Sequence, residues 1–300
     1  MQDLPEFLKP RPDAPVLVHP PQGEVLPLVC DSPHSGTAYP ADFGSCVPLQ
    51  LLRRGEDSLV QQLWETFPEH GATLIEATFP RTYIDPNREE GDINPAMLDG
   101  PWPEPLTPSV KTQQGLGLIW EKISQAGKAT PMYDRKLSVA EVQQRIERYW
   151  RPYHAALAQA IRWSVDRFGG VWHINLHSMP SDVFVRLGQP ERQLADFVLG
   201  DRDGTTCDPA FIRLIGETLQ SQGYSVAYND PYKGVALIGR IGQPEYQRHS
   251  LQIEINRRIY LDEDTREPSA NFAQVQQHLQ EVMLVVAQHV REQMQYLPRS

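Results

Sequence analysis

Two histidines in this 300-residue chain close apolar runs, where they could share one metal ion. Leu26-Pro27-Leu28-Val29-Cys30 reads as a buried strand leading into Asp31-Ser32-Pro33-His34-Ser35-Gly36. Val171-Trp172-His173-Ile174-Asn175-Leu176-His177-Ser178 reads as a second strand, closing on His177. In open α/β sheets, ligands gather beyond the carboxyl ends of the strands. Histidine is a common zinc ligand, and a catalytic zinc takes three protein ligands and keeps one position for water. Each histidine alone is weak evidence, because nine are present and most histidines are surface or structural. The context favours His34: Pro33 stiffens the turn, and Gly36 lets backbone come close to a bound group. A His-x-x-Glu pattern would supply the third ligand most simply, but position 37 is Thr. Glu56 and Asp57 stand at the expected start of a helix, where a charge pair favoured by the helix dipole is the bland explanation. Of the two, Asp57 is the preferred candidate ligand.

The run Ser250-Leu251-Gln252-Ile253-Glu254-Ile255-Asn256 alternates, which puts Gln252, Glu254 and Asn256 on one face of a strand. The bland reading is a solvent-facing polar stripe on an edge strand. The functional one is a cleft-facing Glu254 with a raised pKa, acting as general base beside a metal. Arg81-Thr82-Tyr83-Ile84-Asp85-Pro86-Asn87-Arg88 places two guanidiniums and an amide within a short loop. Alone this is a polar loop with a local Asp85–Arg ion pair; beside a metal it becomes an anion-binding wall. The chain lacks a Gly-x-Gly-x-x-Gly opening a helix, a Walker loop and a Gly-x-Ser-x-Gly elbow. Asp201 to Asp208 lacks the ligand spacing of a calcium loop.

These residues need elements to position them. The proline-rich stretch 1–23 is expected to be an irregular arm. A strand over 25–30, a helix over 56–67 and a strand over 73–77 follow. The proline-dense stretch 93–108 suits neither helix nor central strand and reads as a surface excursion, inert or near the site's mouth. Helical periodicity runs over 139–168, with Pro152 expected to kink or split it and Gly169-Gly170 to cap it. Strands over 171–177, 197–199 and 224–228 and helices over 209–220 and 271–294 complete the pattern. Strands alternate with helices, so the expected fold is α/β, one domain over 1–300, with helices on both faces of a mixed, largely parallel sheet. The formal charge of -10 and pI near 5.4, without any Lys/Arg-rich stretch, argue against nucleic acid or an anionic membrane as partner. No apolar run approaches the roughly 20 residues needed to span a bilayer. The first residues lack the basic flank and apolar segment of a secretory signal, which makes the cytoplasm the expected location. Cys30, Cys46 and Cys207 suggest neither a disulfide framework nor a Cys-type zinc site. Nothing in the sequence speaks to oligomeric state.

Taken in order, several segments resemble the N-formylglutamate amidohydrolase family. They are Asp31 to Gly36 with Tyr39-Pro40, Glu56-Asp57, Arg81 to Arg88, Asn175-Leu176-His177-Ser178, Asp201 to Gly204, Asn229-Asp230-Pro231-Tyr232-Lys233-Gly234, and Gln252 to Tyr260. They span about residues 25 to 265. That family is distantly similar to zinc carboxypeptidases and aspartoacylases, so the resemblance implies a three-layer α/β/α fold with a central mixed sheet. It also implies His34 and His177 as zinc ligands, Glu254 as general base and Arg81 as the stabiliser of an oxyanion. Asn87 and Arg88 would grip the substrate's α-carboxylate. The missing His-x-x-Glu departs from the pattern, and Asp57 is the substitute ligand. Val235 departs too, standing where the family often has a second glycine. For the substrate's side-chain carboxylate, Arg240 or Arg186 is the expected cation. The implied activity is hydrolysis of N-formyl-L-glutamate to formate and L-glutamate, a step of histidine degradation, using one divalent metal: zinc, or manganese, cobalt or iron. A zinc peptidase, another N-acyl amino acid deacylase, or a metal-free binding protein with a degenerate site are the rival readings.

Overall fold

The computed structural model describes residues 5–9, 14–125 and 128–298. Its strands are β1 (Val16–His19), β2 (Leu28–Ser32), β3 (Thr73–Ala77), β4 (Lys122–Gln125), β5 (Lys128–Pro131), β6 (Val171–Met179), β7 (Phe197–Gly200), β8 (Val226–Tyr228) and β9 (Arg248–Asn256). Its α-helices are α1 (Leu49–Leu52), α2 (Val60–Leu63), α3 (Val110–Gln113), α4 (Val139–Arg145), α5 (Arg151–Phe168), α6 (Val183–Arg186), α7 (Pro209–Ser221), α8 (Ala236–Ile241) and α9 (Phe272–Met294). Among the described residues, seven strands form one sheet in the order β1-β3-β2-β6-β9-β7-β8, and β4 and β5 form a separate hairpin. The pairs β2–β3, β2–β6, β6–β9 and β7–β8 are parallel, whereas β1–β3 and β7–β9 are antiparallel. The sheet is thus mixed and largely parallel, as the alternation of strands and helices demands.

Helices cover both faces. On one, Leu28, Cys30, Trp172, Ile174, Leu176, Leu251 and Ile253 pack against α2, α7 and the Val275–Leu279–Val282–Val286–Val290 stripe of α9. On the other, Val16, Val29, Ile75 and Val171 meet Val142 of α4, Tyr153, Leu157 and Ile161 of α5, and Ile241 of α8. Central parallel strands buried on both faces normally read as continuous apolar runs. Here the second face of β2, β6 and β9 breaks that rule. Asp31, His173, Asn175, His177, Ser250, Gln252 and Glu254 are all buried on it. Register pairs Asp31 with Asn175, His173 with Ser250, Asn175 with Gln252, and His177 with Glu254. A buried polar stripe at the centre of a sheet is costly unless its members satisfy one another or serve a ligand.

Two expectations need correction, and a third is met in detail. Residues 16–19 of the expected irregular arm form β1, an edge strand on β3; part of that arm, residues 1–4 and 10–13, lies outside the described residues. The helix expected over 56–67 is reduced to α2 plus the 3₁₀ turns Arg53–Gly55 and Phe67–His70. Its cause is Leu59, whose φ of 65° is left-handed and prevents a helix from starting at Glu56. Over 139–168, α4 and α5 are joined by a π-helical turn at Ile146–Trp150, immediately before Pro152. That wide turn accommodates the proline ring and its missing N–H, and Gly169 caps α5 in the left-handed conformation as expected. The stretch 93–108 is irregular apart from the 3₁₀ turn Pro95–Met97. Cys30, Cys46 and Cys207 are unpaired.

Candidate metal centre and its cavity

The strands β3, β2, β6 and β9 all run the same way, so their carboxyl ends open on one edge of the sheet. The loop after β2 carries His34, and the loop after β3 carries Arg81 to Arg88. His177 lies near the end of β6 and Glu254 near the end of β9. Asp57 joins them because its N–H donates to the His34 carbonyl at 3.0 Å. The left-handed turn at Leu59 then keeps its side chain facing the imidazoles instead of capping a helix. Asp57 Oδ2 lies 3.1 Å from His177 Nδ1 and 3.4 Å from His34 Nδ1. Among the described residues, His34, Asp57 and His177 are the group that could hold a metal ion, with ligand atoms all within 4.8 Å of one another.

Hydrogen bonds behind the rings decide which nitrogen faces inward. His34 Nε2 is 2.8 Å from Asp85 Oδ1. Burial would raise the Asp85 carboxyl, but Arg81, His34 and Arg88 beside it hold it well below the usual carboxylate range. An ionised carboxylate only accepts, so Nε2 carries the proton and Nδ1 is left with a lone pair. His177 Nε2 is 2.6 Å from Asn175 Oδ1. The Asn175 amide is oriented from below, because its Nδ2 donates to both oxygens of Asp31 at 2.9 and 3.0 Å. Burial pushes Asp31 up, but His173, Tyr153 and Asn175 together lower it, so it too accepts. Hence Nε2 of His177 donates, and its Nδ1 also presents a lone pair. Burial, with His34 adding to it against the pull of Asp57, lowers the His177 pKa and keeps the ring neutral.

Asp57 closes the set. Burial would raise its pKa, yet the contacts from His177 and His34 and the charge of Arg257 hold it well below the carboxylate range. Arg257 Nη2 donates to Asp57 Oδ1 at 2.8 Å, which leaves Oδ2 for the centre. Two imidazole nitrogens and one carboxylate oxygen therefore converge. His34 Nδ1 has no hydrogen-bond partner at all, a rare state for a buried nitrogen. A divalent cation fits this donor set, and the outer carboxylate and amide on each ring are the usual orienting partners of metal-bound histidine. Glu56 is not in it: its carboxylate accepts from Tyr39, Ser58 and Arg53 instead.

The centre opens into a cavity of about 430 Å³ lined also by Arg81, Asn87, Arg88, Lys111, Glu254 and Arg257. Glu254 is buried, not on an edge strand, and sits beside His177 in register. Burial first, then the nearby Asp57 charge, push its carboxyl up to about 8 against the pull of Arg81 and Arg257. Arg81 stacks over Trp120 at 5.1 Å and donates through Nε and Nη2 to Asp85 Oδ2. The local Asp85–Arg81 pair expected from the sequence is there, and Asp85 extends it to His34. Among the described residues, Arg88 donates to two carbonyls, those of Leu116 and Asn87. The Trp150 indole N–H fixes this loop by donating to the Arg88 carbonyl at 2.9 Å. The Asn87 amide Nδ2 lies 3.1 Å from His177 Nε2. Arg186 lines the cavity but pairs with Asp182 at 2.6 Å. The expected contact from Arg240 is corrected: its Nη1 donates to Glu89 at 2.8 Å, and it lines a separate cavity beside α5 and α8. Arg257, Asp85, Asn175 and Asp31 were not singled out by sequence reasoning for these contacts. Arg257 stands in the same run as Glu254, but its contact with Asp57 is 200 residues distant in sequence.

The loop carrying His34 is held tightly. Ala38 N–H donates to the Thr78 carbonyl at 2.9 Å, and a Cβ on Gly36 would lie 2.4 Å from both the Phe79 oxygen and the Thr78 carbonyl carbon. Those neighbours are backbone and cannot give way. Gly36→Ala is expected to destabilise the protein by about 3 kcal/mol and to weaken metal binding through displaced His34. Denaturant midpoints and metal titrations check this; wild-type values in both would mean the loop has room.

An α/β/α sheet whose strand ends carry two histidines and a carboxylate beside a buried glutamate has the donor set of a hydrolytic metal site. The chain belongs to the N-formylglutamate amidohydrolase family, whose model matches residues 26–261. It is 29% identical over 242 residues to an N-formylglutamate deformylase of Pseudomonas aeruginosa, covering 79% of this chain and 83% of that one. An N-formylglutamate deformylase of Pseudomonas putida is 27% identical over the same shares. The crystal structure of an N-formylglutamate amidohydrolase from Ralstonia eutropha is 57% identical, with a TM-score of 0.90 over 93% of this chain and 99% of that chain. A gene product from Agrobacterium tumefaciens, 18% identical with a TM-score of 0.62 over 93% of this chain and 96% of its own, shares the fold.

Proposed function

We propose that this protein hydrolyses N-formyl-L-glutamate to formate and L-glutamate, with a zinc ion held by His34, Asp57 and His177. The observation that carries the reading is the convergence of three ligand atoms, from His34, Asp57 and His177, beside the buried Glu254. The names of the relatives support the substrate. When bound there, zinc supplies a Lewis acid for the formyl oxygen and lowers the pKa of water. Glu254 takes a proton from the attacking water as its oxygen joins the formyl carbon. It returns that proton to the nitrogen as the C–N bond breaks, giving formic acid and an amine; the acid's proton then passes to that amine, so formate and the ammonium form of glutamate leave. Gln252 Nε2 donates to Glu254 Oε1 at 2.8 Å and fixes the carboxyl's direction. Arg81, oriented by Asp85 and Trp120, stabilises the oxyanion of the tetrahedral intermediate. Arg88, held by two carbonyls, and Asn87 bind the α-carboxylate. No helix of the described residues is long and apolar enough to cross a membrane. The test is formate release from N-formyl-L-glutamate by purified protein, lost to a chelator and restored by zinc. No release with zinc, manganese, cobalt or iron would overturn the reading.

Metal loading should also move a proton. Without a cation, Glu254 is largely protonated at pH 7, because its pKa is about 8. An added divalent charge favours the carboxylate, so the proton leaves. Wild-type protein is expected to release about one proton more per metal bound at pH 7 than Glu254→Gln. Calorimetric titrations in buffers of different protonation enthalpy measure this. Equal release by the two proteins would mean that Glu254 does not sense the metal.

A further inference from the structure

The cations around the cavity are not equivalent. Arg81 is paired with Asp85 and Arg257 with Asp57, both inside the metal centre. Arg186 and Lys233 are neutralised by surface carboxylates, Asp182 and Asp203, and Arg54 leans on Asp264 at 3.9 Å. Arg88 is held by two carbonyls, and among the described residues it forms no ion pair with a carboxylate. Lys111 lines the cavity, and among the described residues its ammonium has neither a carboxylate nor a carbonyl partner. Burial and the repulsion of Arg88 and Arg81 lower its pKa, with Glu254 opposing. Its helix is nonetheless firmly built. Asp92 accepts from the N–H and hydroxyl of the N-cap Ser109 at 2.6 and 2.8 Å, and from the Thr112 hydroxyl. The chain thus brings a cation to a site already crowded with cations, on a rigid mount, and leaves it without a counter-ion.

We infer that Lys111 is the specificity residue for a dicarboxylate: its ammonium binds the distal carboxylate of the substrate while Arg88 binds the α-carboxylate. This rests on the deformylase reading above and names the residue that makes glutamate the preferred leaving amino acid. An unpaired ammonium in a cavity shared with Arg81 and Arg88 is an unfavourable arrangement that a second substrate anion relieves. An uncharged side chain of the same shape does not relieve it, so the site rejects it.

The experiment compares kcat/KM on N-formyl-L-glutamate and on its uncharged isostere N-formyl-L-glutamine, in zinc-loaded wild type, Lys111→Met and Lys111→Arg. In Lys111→Met the ratio favouring the glutamate substrate is expected to fall about 100-fold, with the loss carried by KM, and Lys111→Arg to restore part of it. Calorimetric binding of L-glutamate and L-glutamine reads the same contact without turnover. A wild-type preference for the dicarboxylate that survives in Lys111→Met, in either assay, overturns the inference. Wild-type protein that turns over neither substrate, yet binds L-glutamate better than L-glutamine through Lys111, sinks the deformylase reading and leaves this contact standing.

Discussion

Replacing Glu254 by glutamine is expected to lower kcat by about 10³-fold while metal content and KM stay near wild type. The substitution removes the proton acceptor and little else. Gln252 Nε2 can donate to an amide oxygen at position 254 as it does to the carboxyl. The metal-free protein already holds Glu254 protonated below pH about 8, so a neutral isostere suits its surroundings. Folding should therefore not suffer, and a loss of rate can be assigned to the chemical step. Single-turnover formate release together with elemental analysis gives both quantities. Wild-type turnover by the zinc-loaded variant would remove Glu254 from the reaction, and Asp57 and the water itself would have to share its task.

The parts of the site that were legible in the sequence are those whose meaning is local. His34 and His177 each close an apolar run, and a strand end is visible in one segment at a time. Asp57 could be preferred over Glu56 but not explained. The explanation is the left-handed Leu59, where a leucine in a helical-looking run gives no warning of positive φ. Arg240 shows the opposite failure. A cation in the right composition was assigned a substrate anion, whereas three-dimensional proximity gave it Glu89. Lys111 follows a proline-dense excursion and carries no periodic signal of its own. What makes it matter is the absence of a counter-ion, a property of the folded cavity alone.

Register explains another part that could not be read in advance. His173 bonds Asp31 through Nε2 and Ser250 through Nδ1, each at 2.8 Å. These three residues lie in the chain order and contacts of a serine-hydrolase relay, but all three are wholly buried, so Ser250 cannot meet a substrate. Their role is to hold Asp31. Asp31 in turn orients Asn175, and Asn175 fixes the proton on His177. The polar stripe across β2, β6 and β9 is a support for one imidazole tautomer, built from pairs that only the parallel register brings together.

Two substitutions at Asp57 should separate its role as ligand from its role in folding. Asp57→Ala leaves Arg257 buried without its carboxylate and is expected to cost about 3–5 kcal/mol of stability even without metal. Asp57→Asn keeps the volume and can satisfy both neighbours, its oxygen accepting from Arg257 and its amide nitrogen donating to the His177 Nδ1 lone pair. Metal-free Asp57→Asn is therefore expected to stay within about 1 kcal/mol of wild type. The two proteins should part when metal is added. A ligand that binds only the folded state stabilises it by about 4 kcal/mol at a free concentration about 1,000 times its Kd. Wild type should show that gain in denaturant melts with zinc. Asp57→Asn should show almost none, because the amide donates a proton where the ion needs an anionic oxygen. Should zinc stabilise Asp57→Asn as much as wild type, the acidic ligand lies elsewhere, and the convergence of His34, Asp57 and His177 would be a hydrogen-bonded core cluster instead of a metal site.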